Sequence, residues 1–179
     1  MNNSYVALLR GINVGGNRKV PMADLKKLLQ GLGYQDISTY INSGNAFFTA
    51  QNATTQELEQ KIEAALEQEF GFVVETAVLS KEEYLQELSS APQGWGKDKN
   101  SKSNALFVLE GNLEELLQKI WDTKPDSEQI HAGDRVIFWS IPLKDFNVSR
   151  LSKIVGTQDY KKLTIRNANT FYKIAEKFQ

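Results

Sequence analysis

Residues 5–21 read YVALLRGINVGGNRKVP, and the rest of the chain can be interpreted from them. A short apolar run, residues 5–9, leads into a loop that contains three glycines, two arginines, one lysine and two asparagines. Pro21 suits the first turn of a helix, because its missing N–H would have no partner there. The pattern therefore predicts a buried strand, a glycine-rich loop and the start of a helix, in that order.

This loop has the composition of an anion site. Glycine lets backbone amides approach a ligand and adopts positive φ, and a helix N-terminus offers unpaired N–H groups with a partial positive charge. Phosphate and carboxylate groups are bound at such positions in many proteins. The spacing matches neither the G-x-G-x-x-G dinucleotide motif nor a P-loop, so it indicates no particular nucleotide.

The first half of the chain continues in a regular order. Apolar residues at helical spacing over 22–32 predict a helix, and turn residues at 42–45 between alternating segments predict a β-hairpin. Thr54 and Glu57 form a capping box before a second helix, and residues 72–79 predict a fourth strand. Strand, helix, strand, strand, helix, strand is the order of a ferredoxin-like unit.

The second half repeats this order, and residues 41–48 align by eye with residues 130–137. We therefore predict an α+β fold of two tandem ferredoxin-like βαββαβ subdomains, an internal duplication joined by a helix and a short linker. Trp95 in the linker predicts packing onto a neighbouring core. The expected boundaries are 1–80 for the first subdomain with its glycine-rich loop, 81–103 for the connecting helix and linker, and 104–179 for the second subdomain with its C-terminal helix.

Topology should bring the glycine-rich loop close to the hairpin turn. In a split βαβ unit the first two strands are parallel and the third, antiparallel strand lies between them, so both segments meet at one edge of the sheet. The corresponding edge of the second half has Glu110 and Asp134 in place of Arg10 and Asn45, so we do not expect it to bind the same ligand. The predicted anion-binding residues are Arg10, Asn13, Gly15, Gly16, Arg18, Lys19, Asn42, Ser43 and Asn45.

A second polar cluster lies near the C-terminus, where Arg166 ends a short predicted strand and Asn167 precedes a predicted helix. One interpretation is a helix cap beside a surface arginine. The other is that Arg166 reaches the first site or forms an ion pair between the two halves. The sequence leaves both interpretations open.

Several kinds of site are excluded or disfavoured by composition. The chain has no cysteine and one histidine, which leaves no basis for a metal site or a hydrolytic triad, and nothing indicates a cofactor or a catalytic residue. No signal peptide and no membrane-spanning apolar run are recognisable, so we expect a cytoplasmic protein without membrane contact. A net charge of −1 and the lack of an RNA-binding aromatic motif argue against nucleic-acid binding.

Two stretches resemble the bacterial DUF1697 family, a domain family of unknown function. They are residues 5–16 with 20–22, and residues 40–45; residues 149–151 and 164–167 resemble C-terminal motifs of the same family. That family often has an aromatic residue after its Arg-Asn pair, and Ala168 departs from this pattern. The resemblance implies a two-subdomain α+β protein and implies no activity.

Two functional hypotheses follow from these residues. The first is a protein, with or without catalysis, that binds an anionic small molecule carrying phosphate or carboxylate at the loop 10–19 and the turn 42–45. The second is a protein–protein interaction or self-association module without catalysis, which includes a homo-oligomer.

Overall fold

The computed structural model describes residues 2–51, 53–122 and 124–179. The chain is α+β, as predicted, and divides into two units between Tyr84 and Leu85. The first unit contains β1 (Asn2–Leu9), α1 (Met22–Gly31), β2 (Gln35–Tyr40), β3 (Asn45–Gln51), α2 (Thr55–Phe70) and β4 (Thr76–Ser80). Helix α3 (Lys81–Ser90) follows and spans the division.

The second unit continues with β5 (Ser101–Val108), α4 (Leu113–Trp121), β6 (Gln129–Ala132) and β7 (Val136–Pro142). A 3₁₀ helix (Leu143–Val148) and two short helices, α5 (Arg150–Ile154) and α6 (Gln158–Lys161), come next. The chain ends with β8 (Leu163–Asn167) and α7 (Ala168–Lys177).

Each unit has one four-stranded sheet in which neighbouring strands are antiparallel. The strand orders are β2-β3-β1-β4 in the first sheet and β6-β7-β5-β8 in the second. Strand β3 therefore lies between β1 and β2 and pairs with both. This order places the end of β1 and the β2–β3 turn at the same edge of the sheet.

The core of the first unit lies between its sheet and helices α1 and α2. Leu25 and Leu29 of α1 are fully buried, as are Ile62 and Leu66 of α2, and they pack on the side chains of alternate strand residues such as Phe48. Burying each such side chain stabilises the fold by about 1.5–3 kcal/mol. The amphipathic spacing in the sequence thus accounts for the position of both helices.

The second sheet has a different environment on each face. Leu106, Ile137 and Trp139 face a core shared with α4 and α5. On the opposite face Phe138 packs against Trp95, with ring centroids 5.1 Å apart. Trp95 is 6% exposed, which confirms that this linker residue packs onto a core.

Two sequence predictions need correction at their boundaries, and two helices were missed. Residues 72–75 are not part of a strand, because the register of β1 with β4 ends at the pair Leu9–Thr76 and leaves them no partner. Residues 101–103, predicted as linker, begin β5, because β7 extends to Pro142 and pairs with Ser101. The 3₁₀ helix and α6 were not predicted at all.

The helix caps follow the sequence closely. Thr54 and Glu57 form the predicted capping box of α2, and Gly71 ends that helix in the left-handed conformation. The side chain of Ser80 accepts a hydrogen bond from the N–H of Glu83 in α3. In the part of the chain that the structure describes, no helix has both the length and the apolar character to cross a membrane.

Candidate functional site

The glycine-rich loop is held in place by Asn13. Its side-chain amide nitrogen donates to the carbonyl oxygen of Val20 at 2.9 Å and to that of Asn42 at 2.8 Å, while its Oδ1 accepts from the N–H of Val20. One side chain therefore closes the loop on itself and ties it to the hairpin turn. Both amide hydrogens of Asn13 are engaged in these contacts, which are structural.

Gly44 brings the turn into close contact with the loop. Its carbonyl accepts from the N–H of Leu9 at 2.8 Å, and a Cβ added to Gly44 would come within 2.8 Å of both Leu9 Cβ and Ile12 Cδ1. The loop and the turn are thus adjacent, as the predicted topology required.

Asn45 is a structural residue of the turn. It is fully buried, and its side-chain amide donates to the carbonyl of Tyr40 at 2.9 Å and to Ser43 Oγ at 3.1 Å. These bonds shape the β2–β3 connection. Of the predicted turn residues, Asn42 and Ser43 are exposed.

Two of the predicted cations share one carboxylate. Arg10 Nη1 lies 3.8 Å and Arg18 Nη2 lies 3.7 Å from Glu75 Oε2. Arg18 also donates from Nη2 to the carbonyl of Val73 at 2.5 Å and lies over the ring of Phe72, 5.3 Å from its centroid. The segment 72–75 thus forms a third side of the site, and we call Arg10, Arg18, Lys19 and Glu75 the basic cluster.

Glu75 is the residue of this site that the sequence analysis missed. The backbone N–H of Arg10 donates to the carbonyl of Glu75 at 2.9 Å, which fixes its position at the edge of the sheet. The signal available in the sequence was an acidic residue between α2 and the next strand, at the same edge as the loop. The pattern of residues 72–79 predicts one continuous strand, whereas residues 72–75 lie outside β4 and carry Glu75 at the site.

The tip of the loop projects outward. The N–H of Asn17 donates to the carbonyl of Val14 at 3.2 Å, which makes a tight turn through Gly15 and Gly16. Both glycines and Lys19 are exposed, and Val14 is 70% exposed. Backbone amides, one cation and one apolar side chain are therefore presented together.

The second polar cluster lies at the end of β8. Arg166 is 5% exposed, and its Nη1 donates to Thr164 Oγ1 at 3.0 Å and to the carbonyl of Ile165 at 2.9 Å. Asn167 Oδ1 accepts from the N–H of Thr170 at 2.9 Å and caps α7, as predicted. The arginine is not on the surface, and these two bonds connect it to neighbouring residues of its own strand.

Two buried glutamates were also missed. Glu128 is 1% exposed, and its Oε1 accepts from Trp139 Nε1 and from Ser149 Oγ, the latter at 2.5 Å. The same oxygen accepts from the N–H of Leu151 at 3.3 Å, and Oε2 accepts from that of Arg150 at 3.0 Å. This carboxylate anchors the start of α5 to β7, which is a structural role.

Glu87 of α3 is the second buried glutamate. It is 2% exposed, and its Oε1 accepts from the N–H of Arg135 at 2.5 Å in the β6–β7 turn. Burial raises the pKa of Glu87 above its usual value, and the negative charge of Asp134 raises it further. The hydrogen bond from Arg135 and the charge of its guanidinium act in the opposite direction.

A metal centre has no support in the described part of the chain. No group of three or more histidine, cysteine, aspartate or glutamate side chains there is arranged to hold an ion. His131 lies on β6, with its ring 6.5 Å from that of Phe138.

The family model described as a protein of unknown function, DUF1697, matches residues 1–138. This chain belongs to the DUF1697 family. A solved structure of a conserved bacterial protein from Streptococcus pneumoniae is similar to this DUF1697 chain over the full length of both, with 32% identity and a TM-score of 0.89. No curated protein matches the sequence.

The family match covers the glycine-rich loop, the hairpin turn and the basic cluster. The motifs at 149–151 and 164–167 lie beyond the matched residues, although the Streptococcus structure extends over them. The family and the similar structure name no ligand and no reaction, so the function of this DUF1697 protein has to be inferred from its own residues.

Proposed function

We propose that the protein binds the phosphate or carboxylate group of a small molecule at the basic cluster. The observation that carries this proposal is that Arg10 and Arg18 share the single carboxylate of Glu75, with exposed Lys19 beside them. Two cationic side chains therefore share one anionic side chain, and Lys19 adds a third cation next to Arg18 in the sequence. An anionic ligand would balance the remaining positive charge.

The geometry of the cluster favours an additional partner. The two separations from Glu75, 3.7 and 3.8 Å, exceed hydrogen-bond distance, and Arg18 Nε is buried without a hydrogen-bond partner in the described structure. A guanidinium binds a phosphate or carboxylate best through two parallel N–H donors. The side chain of Arg18 is 36% exposed, and the exposed residues Gly15 and Gly16 lie on the same loop.

The proposed site contains fewer ligand-binding residues than the sequence analysis predicted. The side chains of Asn13 and Asn45 form the frame that holds the loop and the turn, and we do not include them among the ligand-binding groups. Exposed Asn42 and Ser43 remain at the edge of the site. The proposal therefore rests on the basic cluster and the loop amides.

Isothermal titration calorimetry with inorganic phosphate and with citrate tests this proposal. The ionic strength is kept low because salt screens exposed charges. Arg18→Ala should weaken binding roughly tenfold, the effect of losing a charge-assisted hydrogen bond of about 1.5 kcal/mol. Glu75→Gln should strengthen binding, because it removes the competing carboxylate. Lys27→Ala, at an exposed lysine paired with Asp24, is the matched control and should leave binding unchanged. Equal affinity in wild type and Arg18→Ala would contradict the proposal.

A second candidate function is association with another protein or another copy of the chain. Val14 is 70%, Ile41 47% and Val73 50% exposed, and these apolar residues lie on the three segments that form the site. Light scattering over a range of concentrations tests self-association. A mass that rises with concentration in wild type, and falls to that of a monomer in Val14→Ser, would favour this function.

The duplication and the cellular location belong with these proposals. We propose that both units derive from one ferredoxin-like βαββαβ unit, supported by the identical strand order of the two sheets. The units differ between their third and fourth strands, where the first has one long helix and the second has a 3₁₀ helix and two short ones.

A cytoplasmic location is supported by the cysteine-free sequence, and cell fractionation would test it.

A further inference from the structure

A cleft in the second unit has no part in the function proposed above. It encloses about 430 Å³ between the segment 92–98 and one face of the second sheet. Pockets that bind small molecules measure roughly 300–1,000 Å³, so this cleft has the size of a ligand site.

The floor of the cleft is a row of polar side chains across three strands. Ser103 of β5 is paired with Ser140 of β7, and Ser140 is paired with Gln129 of β6. Directly opposed residues of an antiparallel sheet point to the same face, and the two serine hydroxyls are 3.2 Å apart and hydrogen-bonded. Because these groups belong to paired strands, their positions are fixed by the sheet.

The adjacent row of the same face is closed by aromatic packing. There Phe138 contacts Trp95 and Phe171 of α7, with ring centroids 5.1 and 5.4 Å away. Serine is much smaller than these rings, so the row of Ser103 and Ser140 leaves the space beside them unfilled. The change from Phe138 to Ser140 along β7, with Ser103 opposite Ser140 on β5, therefore creates the cleft.

The wall formed by the segment 92–98 is held firmly. Trp95 Nε1 donates to the carbonyl of Trp139 at 3.1 Å, and the hydroxyl of Tyr172 donates to the carbonyl of Trp95 at 2.9 Å. Gly96 lies so close to Ala168 that an added Cβ would be 2.3 Å from the Cβ of that residue. A cleft whose walls are already ordered requires little loss of conformational entropy on binding.

Among the described residues, those that line the cleft carry hydroxyl and amide groups beside apolar side chains, and none of them is a lysine or an arginine. Its one carboxylate, Asp98, accepts from Ser101 Oγ at 2.6 Å and from the N–H of Asn100 at 2.9 Å, and these bonds lower its pKa. Asp98 is therefore ionised at neutral pH and would repel an anion. His131 at the edge of the cleft adds a ring that can donate or accept a hydrogen bond.

We propose that this cleft binds an uncharged molecule with adjacent hydroxyl groups on a ring, as found in a free sugar or in the ribose of a nucleoside. Serine hydroxyls and glutamine amides each offer donors and acceptors, which is what a pair of neighbouring hydroxyls requires. Because the described lining residues include Asp98 and neither a lysine nor an arginine, this ligand differs from the anion proposed for the first unit. The two proposals can therefore fail independently.

Nuclear magnetic resonance of the full chain tests the proposal directly. Glucose, galactose and ribose form one set of probes, and adenosine and uridine form the other. We expect at least one probe to shift the indole N–H resonance of Trp95, which lines the cleft, and to leave that of Trp121 unchanged. Binding by one set alone identifies whether the ring belongs to a free sugar or to a nucleoside.

Variants distinguish the cleft from other surfaces. Ser140→Val replaces a hydroxyl of the polar row with a larger apolar side chain. Gln129→Ala removes an exposed amide on an edge strand, so the test remains valid if the valine variant does not fold. Each should weaken binding roughly tenfold or more, whereas Gln35→Ala, an exposed glutamine on edge strand β2, should not. No shift from any probe, unchanged affinity in Gln129→Ala, or tighter binding of AMP than of adenosine would overturn the proposal.

Discussion

At the scale of single residues, the fold depends on a few positions that are specified by close contact. Gly44 is the clearest case in the first unit, because it combines a φ of +84° with contacts that a Cβ would make at 2.8 Å. Gly15 also has positive φ, +62°, but nothing lies within 4 Å of an added Cβ. The sequence showed a glycine in each place, and only the structure separates the two requirements.

Gly44→Ala should therefore destabilise the protein more than Gly15→Ala. We expect about 1 kcal/mol for Gly15→Ala, the cost of a left-handed alanine, and about 2–4 kcal/mol for Gly44→Ala, where overpacking adds to it. Urea unfolding followed by circular dichroism measures both variants. Equal losses in the free energy of unfolding would show that the close approach of Leu9 and Ile12 to Gly44 does not contribute to the cost of the alanine.

At the scale of secondary-structure elements, buried carboxylates join segments that the hydrophobic pattern does not join. Glu128 connects Trp139 of β7 to the first residues of α5, and Glu87 connects α3 to the β6–β7 turn. Hydrophobic periodicity predicts which elements form, but it does not indicate which polar residues will be buried between them. Neither glutamate was singled out in the sequence for that reason.

Removing the Glu128 carboxylate should be costly. Glu128→Ala leaves buried donors, among them Trp139 Nε1 and Ser149 Oγ, without their acceptor, and we expect a loss of about 3 kcal/mol or more in the free energy of unfolding. Glu115→Ala, at an exposed glutamate of α4, is the control and should change stability by less than about 0.5 kcal/mol. Denaturant unfolding measures the stability of both variants. A loss in Glu128→Ala as small as that in Glu115→Ala would refute the anchoring role.

Glu87 should make stability depend on pH in a defined direction. A carboxylic acid whose pKa is raised on folding binds its proton more tightly in the folded state, so its contribution is greatest below the unfolded value of 4.5 and is lost as pH rises through the folded pKa. Glu87→Gln retains an acceptor for Arg135 N–H but does not titrate. Its stability relative to wild type should therefore increase from acid to neutral pH.

Unfolding of wild type and Glu87→Gln at a series of pH values measures this difference. The comparison cancels the titration of other groups, such as Asp98 and Glu57, whose pKa values are lowered in the folded state. A difference that is constant with pH, or that decreases towards neutrality, would show that Glu87 is not responsible.

At the scale of the whole molecule, the sequence predicted the α+β class, the helix caps and the meeting of loop and turn. These features follow from local patterns and from the topology of one sheet. It could not predict that residues 72–75 would contribute Glu75, because that depends on where the register of β1 and β4 ends. The serine-lined cleft was missed for a similar reason, since Ser101 and Ser103 look like linker until β7 is seen to pair with them.

Equivalent positions in the two units have acquired different roles. Gly133 aligns with Gly44, yet an added Cβ there would lie 1.9 Å from Glu87 Oε2. Gly133→Ala should therefore destabilise wild type strongly and cost much less in a Glu87→Ala background, with a coupling energy of about 1–3 kcal/mol in a double-mutant cycle. Additive effects would show that the side chain of Glu87 is not the obstacle.

The positions of the aromatic residues have a practical consequence for spectroscopy. All three indoles, those of Trp95, Trp121 and Trp139, belong to the part of the chain after Tyr84. Tryptophan fluorescence, excited at the red edge of the absorption band, therefore reports only on that part. A collisional quencher should reach Trp121, which is 56% exposed, far more readily than the other two indoles. Events at the glycine-rich loop would go unseen by this method unless an additional fluorophore were introduced there.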